Sequence, residues 1–372
     1  MLPARQDTRF RLAEVLPDSL ATVLGESSQL GLPPARRIVV ALVDGLGAAA
    51  LRERIGHARR LASAFTRGST ISVGFPSTTA AMITTLTTGA DPGEHGLVGY
   101  AALDAANDRV LNLLNGWDAQ SDPLAWQSVP TVFERAVAAG IPAVVIAPPR
   151  YRDSRFTQAA LRGAEYLPAA TIEERAARAV AELRRHERLI AYLYIPELDV
   201  VAHRHGVESG EWTAALEQAD AALGELARAL GPDDLLLVTA DHGVVDIPAE
   251  SHVVPDAALF AEVRHLAGEP RCLQLHLEPP ADAAATAATW QRVLGRSAWV
   301  ATRDEAVAGG LFGEPGRVDA RILPRIGDVL VGARARVAFY RDSDSPARGM
   351  VGQHGSATPE EMLVPLLRFR GA

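Results

Sequence analysis

Lysine is absent from this sequence: all 37 basic side chains are arginine, set against 45 acidic ones. That absence excludes a Walker-type phosphate loop and any lysine Schiff base, since both need the primary amine. The net charge of −8 leaves too little positive surface for a general nucleic-acid interface, which works by neutralising phosphates. Cysteine is nearly absent as well. The single Cys272 can form neither an internal disulfide nor a thiolate metal cluster. It reads as a small buried apolar residue rather than a nucleophile. Long apolar runs are also missing. No stretch approaches the roughly 20 residues of a spanning helix, and the first 32 residues carry Arg9, Arg11, Glu14 and Asp18 in place of an apolar export segment. No membrane association and a cytoplasmic location are the expectations.

What is present is a folded globular balance, 48% hydrophobic and 22% charged over 372 residues, enough for one large α/β domain with or without an insertion. An N-terminal arm closes at Pro33 and Pro34, and the β-branched run Ile38 to Val43 follows, as a strand buried on both faces should read. Further strands are expected at Thr70 to Val73, Ala143 to Ile146, Leu189 to Tyr194 and Leu235 to Val238. Helical patterns lie between them at Ala80 to Thr88, Thr131 to Ala139, Ile172 to Arg185 and Glu211 to Leu230. The alternation predicts an α/β fold, a largely parallel sheet between two helical layers. From about Leu259 to Tyr340 a second strand–helix–strand set appears (Leu273 to Leu277, Ala283 to Val293, Ala298 to Ala301), and Met362 to Phe369 reads as a closing strand. The expected division is a core of residues 1–258 and 341–372 with a small α+β cap inserted at 259–340, shaping the leaving-group pocket.

Open parallel sheets place their sites at the carboxyl ends of the strands. Past the first strand stands Asp44; past the strand ending near Tyr194 come Asp199 and His203; past Leu235 to Val238 come Asp241 and His242; the loop before the last strand holds His354. Aspartate oxygens and histidine nitrogens suit Zn²⁺, with Mn²⁺ or Fe as alternatives. Taken singly each is weak, because an aspartate after a strand is commonly a turn former or helix cap. Convergence of all of them on one sheet edge is what gives them weight. Asp199 and His203 share a face if the segment is helical, whereas His205 fits that spacing less well. His95 and His252 read as structural.

Ser77, Thr78 and Thr79 precede a helix expected to begin at Ala80. Hydroxyls there sit among free backbone N–H groups at the positive end of the helix dipole, where a phosphate oxygen is favoured. Capping the helix is the plainer role for any one of them.

Together these segments resemble the alkaline phosphatase superfamily, and within it the nucleotide pyrophosphatase/phosphodiesterase branch. The resemblance runs through VALVDGLG, PSTTAAMITTLTTG leading into DPGEHGLVG, YIPELDVVAHRHG, TADHG and GQHGS, in that order. It implies an alkaline-phosphatase-like three-layer fold and two divalent metal ions. One would be held by Asp44, Thr79, Asp241 and His242, the other by Asp199, His203 and His354. It also selects Thr79, ten residues before Gly89, as the nucleophile passing through a phosphothreonine intermediate, and leaves Thr78 mainly to cap the helix. The implied activity is hydrolysis of phosphodiesters or nucleotide pyrophosphates, so the expected partner is a small phosphate ester, with a nucleotide as one option. The chain departs from the branch where an asparagine usually contacts the phosphate. Glu94-His95-Gly96 leads here to Tyr100, a candidate donor in its place; Arg150 and Arg348 are further candidate substrate contacts. A phosphomonoesterase or phosphosugar mutase of the same superfamily shares the ligands and is the alternative. A sulfatase is disfavoured, because Thr79 cannot become formylglycine and Ile83 stands where its arginine would be. A more distant rival is a nicotinamide oxidoreductase, from Gly45-x-Gly47-x-x-Ala50 after the first strand, though Asp44 would repel the pyrophosphate there.

Overall fold

A computed structural model describes residues 2, 3, 6, 8–66 and 68–371. Five parallel strands, β1 (Arg37–Val43), β2 (Ala143–Ala147), β3 (Glu165–Pro168), β4 (Leu189–Ile195) and β5 (Asp234–Thr239), lie in the order β5-β1-β4-β2-β3. All of β5 and β2, and all of β1 beyond Arg37, is buried. Such strands must be apolar on both faces, and that is why they read as uninterrupted runs. Register matters most for function. Val43 lies beside Ile195 and Leu42 beside Thr239, so the residues that follow β1, β4 and β5 emerge together at one edge.

Several elements escape the sequence reading, two of them packed against or within the central sheet. Residues 12–24 form a helix, α1 (Leu12–Leu24), rather than an arm, and it buries Leu12, Val15, Leu16, Leu20 and Val23. Pro17 inside it disguises the helical period. It also explains Gly89, which ends α2 (Thr79–Thr88) with φ +76, because a β-carbon there would meet Pro17 Cγ at 2.6 Å. The edge strand β3 is short and ends in proline, which a sheet tolerates only at such positions.

Two expected strands are placed differently. Thr70–Ser72 is outside the central sheet and pairs antiparallel with Leu363–Pro365. The single closing strand expected over Met362 to Phe369 is two: after Pro365, which has no N–H to give, Leu366 N bonds Ser69 O (2.7 Å), and Leu367–Arg370 then adds antiparallel to β5.

Within residues 259–340 four antiparallel strands, β6 (Val263–Glu269), β7 (Cys272–Leu277), β8 (Ala298–Thr302) and β9 (Val329–Ala333), form a sheet in the order β6-β7-β9-β8. Leu275, Val329 and Val331 pack with Trp290 in a small separate core. Cys272, Trp299 and Leu330 join the main core instead, where Trp299 meets Phe75 edge-on at 5.6 Å. Among the described residues no helix is long and apolar enough to cross a membrane.

Candidate metal centre and active-site cleft

Asp44 follows β1 directly, and its N–H donates to Ile195 O at 2.9 Å. Asp241 lies two residues beyond β5 and accepts from Gly45 N at 3.3 Å. Asp199 and His203 sit one turn apart on α3 (Glu197–His205), with Oδ2 and Nε2 3.2 Å apart. The glycines beside the two aspartates have a packing reason: a β-carbon on Gly243 would meet Gly47 Cα at 2.9 Å and Glu360 O at 2.0 Å. That close approach accounts for Gly47, and a left-handed backbone at φ +73 for Gly45, without a dinucleotide.

The ligand atoms gather in two groups. Asp44, Asp241 and His242 offer one atom each within 4.8 Å of one another, and so do Asp199, His203 and His354. The groups adjoin, since the rings of His242 and His354 stack with centroids 3.6 Å apart. His205, by contrast, is exposed, and His95 is buried against Thr85 Oγ1 at 3.0 Å.

Three observations fit these groups to cations. Each histidine turns Nδ1 to a backbone carbonyl: His203 to Gly352 O (2.8 Å), His354 to Ser77 O (2.9 Å) and His242 to Gly243 O (3.3 Å). A carbonyl only accepts, so Nδ1 carries the proton of the neutral ring, and Nε2 is the atom that faces the group and is bare once any second proton has left. Asp44 Oδ1, Asp199 Oδ1 and Asp241 Oδ2 are buried with no hydrogen-bond donor among the described residues, a costly state that a cation relieves. Finally, burial pushes Asp44 far above the carboxylate range, with Asp241 and Asp199 adding to it, and burial with the Asp199 charge lifts Asp241 to about 7. Burial also holds His242 down to about 4 and His354 well below its usual value. Around the other group, burial opposes both charges, but attraction outweighs it: Asp199 raises His203 to about 9 and is itself held low.

These shifts fix a pH dependence. Between pH 7 and 9 the histidines with lowered values are neutral in both folded and unfolded chains. Folded Asp241 and His203, with values of about 7 and 9, still hold protons that the unfolded chain has lost. Stability of the metal-free protein is therefore lost as pH rises through that window. Scanning calorimetry should find its Tm falling from pH 7 to pH 9, and bound dications should abolish the fall by taking the place of the Asp241 and His203 protons. A metal-free Tm that rises with pH would contradict the assignment.

The three hydroxyls are separated by their surroundings. Ser77 Oγ donates to Ser356 O (2.6 Å) and accepts from Gly355 N (3.2 Å), so it holds the His354 loop. Thr78 is the residue before α2, but its side chain makes no capping bond and lies beside Glu269, so the expected capping role is not found. Thr79 is itself the first residue of α2, in place of Ala80, and its Oγ1 stands 3.1 Å from His242 Nε2.

A cavity of roughly 610 Å³ opens over Asp44, Thr79 and Asp199. Its inner wall includes Tyr194, whose hydroxyl donates to Asp44 Oδ2. Burial and the Asp44 charge raise that phenol far above its usual value, so it stays protonated as donor. The outer wall holds Asn115, Trp117, Arg150, Tyr151, Arg155 and Tyr166. Of these only Arg150 was expected from the sequence. The 259–340 segment supplies none of the lining residues, so it does not shape this pocket as expected; it packs behind Ser77 and Thr78 instead. Tyr100 is half-buried next to the hairpin Ala101–Asn112 and is not among the lining residues, where the amide-bearing residue is Asn115. Arg348 is not among them either, and its guanidinium bonds Ser343 O.

Known proteins resemble this chain to different extents. A phosphopentomutase of Anaeromyxobacter sp. (strain K) is 34% identical over 114 residues, covering 30% of this chain and 28% of the relative, so the match spans under a third of that protein's length. Murine ectonucleotide pyrophosphatase/phosphodiesterase 5, solved as an inactive variant with AMP, superposes with a TM-score of 0.68 at 17% identity, covering 90% of this chain and 88% of that one. Phosphonoacetate hydrolase from Sinorhizobium meliloti 1021, solved with phosphonoacetate, gives 0.69 at 18% identity and 92% coverage of both chains. Residues 38–357 match the family described as type I phosphodiesterase/nucleotide pyrophosphatase. By that match the chain belongs to the type I phosphodiesterase/nucleotide pyrophosphatase family, within the alkaline phosphatase superfamily.

Proposed function

We propose that the chain is a two-metal hydrolase of small phosphodiesters or nucleotide pyrophosphates, with Thr79 as its nucleophile. The observation that carries the proposal is the Thr79 hydroxyl, 3.1 Å from His242 Nε2 on the floor of the cavity, beside two groups of buried ligands. Asp44, Asp241, His242 and Thr79 would hold one ion, and Asp199, His203 and His354 the other. Bound dications, Zn²⁺ by the chemistry of the donors, would lower the pKa of the threonine hydroxyl and neutralise phosphate charge. Thr79 Oγ1 gives up its proton to solvent and attacks phosphorus in line, the bond from phosphorus to the leaving oxygen breaks, and that oxygen takes a proton from solvent. Water then cleaves the phosphothreonine bond, releasing the phosphate product and restoring the hydroxyl. The N–H groups of Thr79, Ala80 and Ala81 precede the first bond of α2, Met82 N to Thr78 O. They point a partial positive charge at the phosphate oxygens. Tyr194 keeps Asp44 oriented through its hydroxyl.

The 259–340 segment, proposed as an insertion in a core of residues 1–258 and 341–372, then acts from behind the ligands. A cytoplasmic location is proposed too, and fits the lone buried Cys272.

The partial match to a phosphopentomutase favours one second reading, transfer of phosphate between positions of one sugar. The zinc-loaded enzyme should cleave bis-p-nitrophenyl phosphate at least about tenfold faster, in kcat/KM, than p-nitrophenyl phosphate. Exhaustive chelation should abolish the activity, and two equivalents of metal should restore it. A tenfold preference for the monoester, or isomerisation of a pentose phosphate without phosphate release, would move the chain to the second reading.

A further inference from the structure

We propose that the outer wall of the cleft recognises a second anionic group on the substrate, a carboxylate or a further phosphate, through Arg150 and Arg155. The inference rests on the reading of the cleft as a phosphate-ester site.

The protein as a whole carries a net charge of −8, yet residues 150–155 present Arg150, Arg152 and Arg155 against a single Asp153. Arg150, Arg155 and Asp153 all lie on the wall of the cavity that contains Thr79. Nearby structural arginines are committed to acids: Arg109 pairs with Asp104 and Asp118, and Arg162 with Glu134. Among the described residues Arg150 and Arg155 have no such ion pair. The guanidinium of Arg150 rests 4.7 Å above the Tyr151 ring, and Arg155 reaches only Ser121 O at 3.4 Å. Their forks are left to a ligand, and a planar guanidinium matches carboxylate or phosphate oxygens in pairs.

Placement sets the spacing. From the reacting end a line of rings leads outward: Tyr194 bonds Asp44, Tyr151 tilts against Tyr194 at 5.9 Å, and Arg150 covers Tyr151. An anion at Arg150 therefore lies outward of the phosphorus site, beyond the Tyr194 and Tyr151 rings. The turn is built before any ligand arrives. Tyr166 hydroxyl donates to Pro148 O (2.7 Å), and Thr157 hydroxyl donates to Tyr151 O (2.7 Å). A pre-ordered turn avoids the ordering cost of binding.

The test uses zinc-loaded protein and inert probes, titrated by calorimetry: phenylphosphonate, 4-carboxyphenylphosphonate and benzene-1,4-diphosphonate. At least one of the two probes with a second anion should bind tenfold or more tightly than phenylphosphonate, and the larger gain identifies carboxylate or phosphate as the preferred source. Arg150→Met together with Arg155→Met should bring that probe down to the level of phenylphosphonate, and Arg150→Lys should restore part of the gain. Equal binding of all three probes, or a gain that survives the double substitution, overturns the proposal. Hydrolysis of bis-p-nitrophenyl phosphate by the same unsubstituted sample reports separately on the parent reading. Its absence beside an intact binding contrast would sink the catalytic assignment alone.

Discussion

Thr79→Ala is expected to lower kcat on a phosphodiester by about a thousandfold or more, roughly 4 kcal/mol of barrier, with metal content little changed. On the proposed mechanism the size follows from removing the nucleophile, so that turnover falls back on direct attack by water. Metal content survives because Asp44, Asp241 and His242 still converge within 4.8 Å. The fold survives because alanine suits the first position of a helix, and Thr79 Oγ1 bonds only His242 Nε2, not a backbone group. Thr78→Ala separates the neighbours: the Thr78 hydroxyl is buried beside Glu269 and Thr78 is not among the residues that line the cavity, so the variant's kcat should stay within about tenfold of the parent. Kinetics with metal analysis on both variants decides the matter. An inactive Thr78→Ala and an active Thr79→Ala would put the nucleophile one residue earlier.

The parts of this site that could be read from the sequence share one physical cause. A strand buried on both faces must be apolar along its whole length, so Ile38–Val43 and Leu235–Val238 stand out. The first polar residues after them, Asp44, Asp241 and His242, are then located by the end of the run. His354 needed the resemblance to the family, since nothing before it reads as a buried strand; Gly352–Gln353 pairs over only two residues. The cleft wall was largely illegible for a related reason. Asn115, Trp117, Tyr151 and Tyr166 come from a hairpin end, a turn and an edge strand, and no period or spacing links them before the chain folds. Tyr100 drew attention through a motif offset, but its carbonyl is tied to Leu113 N (2.8 Å) and its ring takes no part in the wall. The doubling of the last strand hid behind apolar continuity. Leu363–Leu367 reads as one run, and only the lack of a donor at Pro365 marks the change of partner.

Arg271→Met should destabilise the protein by roughly 3–5 kcal/mol, the range for leaving one partner of a buried ion pair uncompensated. Arg271 and Glu361 are both fully buried, joined by two parallel bonds, Nε to Oε1 at 3.0 Å and Nη2 to Oε2 at 2.8 Å. Arg271 also donates to Ala335 O and Val337 O, so it ties the 259–340 sheet to the residues after His354. Glu361 passes the restraint on: its carboxylate accepts from Ser356 N (3.0 Å), and its carbonyl accepts from Gly243 N (2.9 Å), next to His242. Burial opposes the Glu361 charge, and Arg271 outweighs it, holding the carboxyl below its ordinary range. Once Arg271 is gone, burial alone acts, and the carboxyl should bind a proton well above that range. The loss of stability should therefore be larger at pH 8 than at pH 5, because at the lower pH the stranded carboxyl is neutral. Denaturant unfolding at both pH values measures the difference. Metal affinity should fall as well, since Ser356 and Gly243 flank two of the proposed histidine ligands, and titration of the folded variant with zinc reads that directly. A loss under about 1 kcal/mol with unchanged zinc affinity would mean that the His354 loop is held by Ser77 and by the Ser356 hydroxyl on Ala333 O, without Arg271.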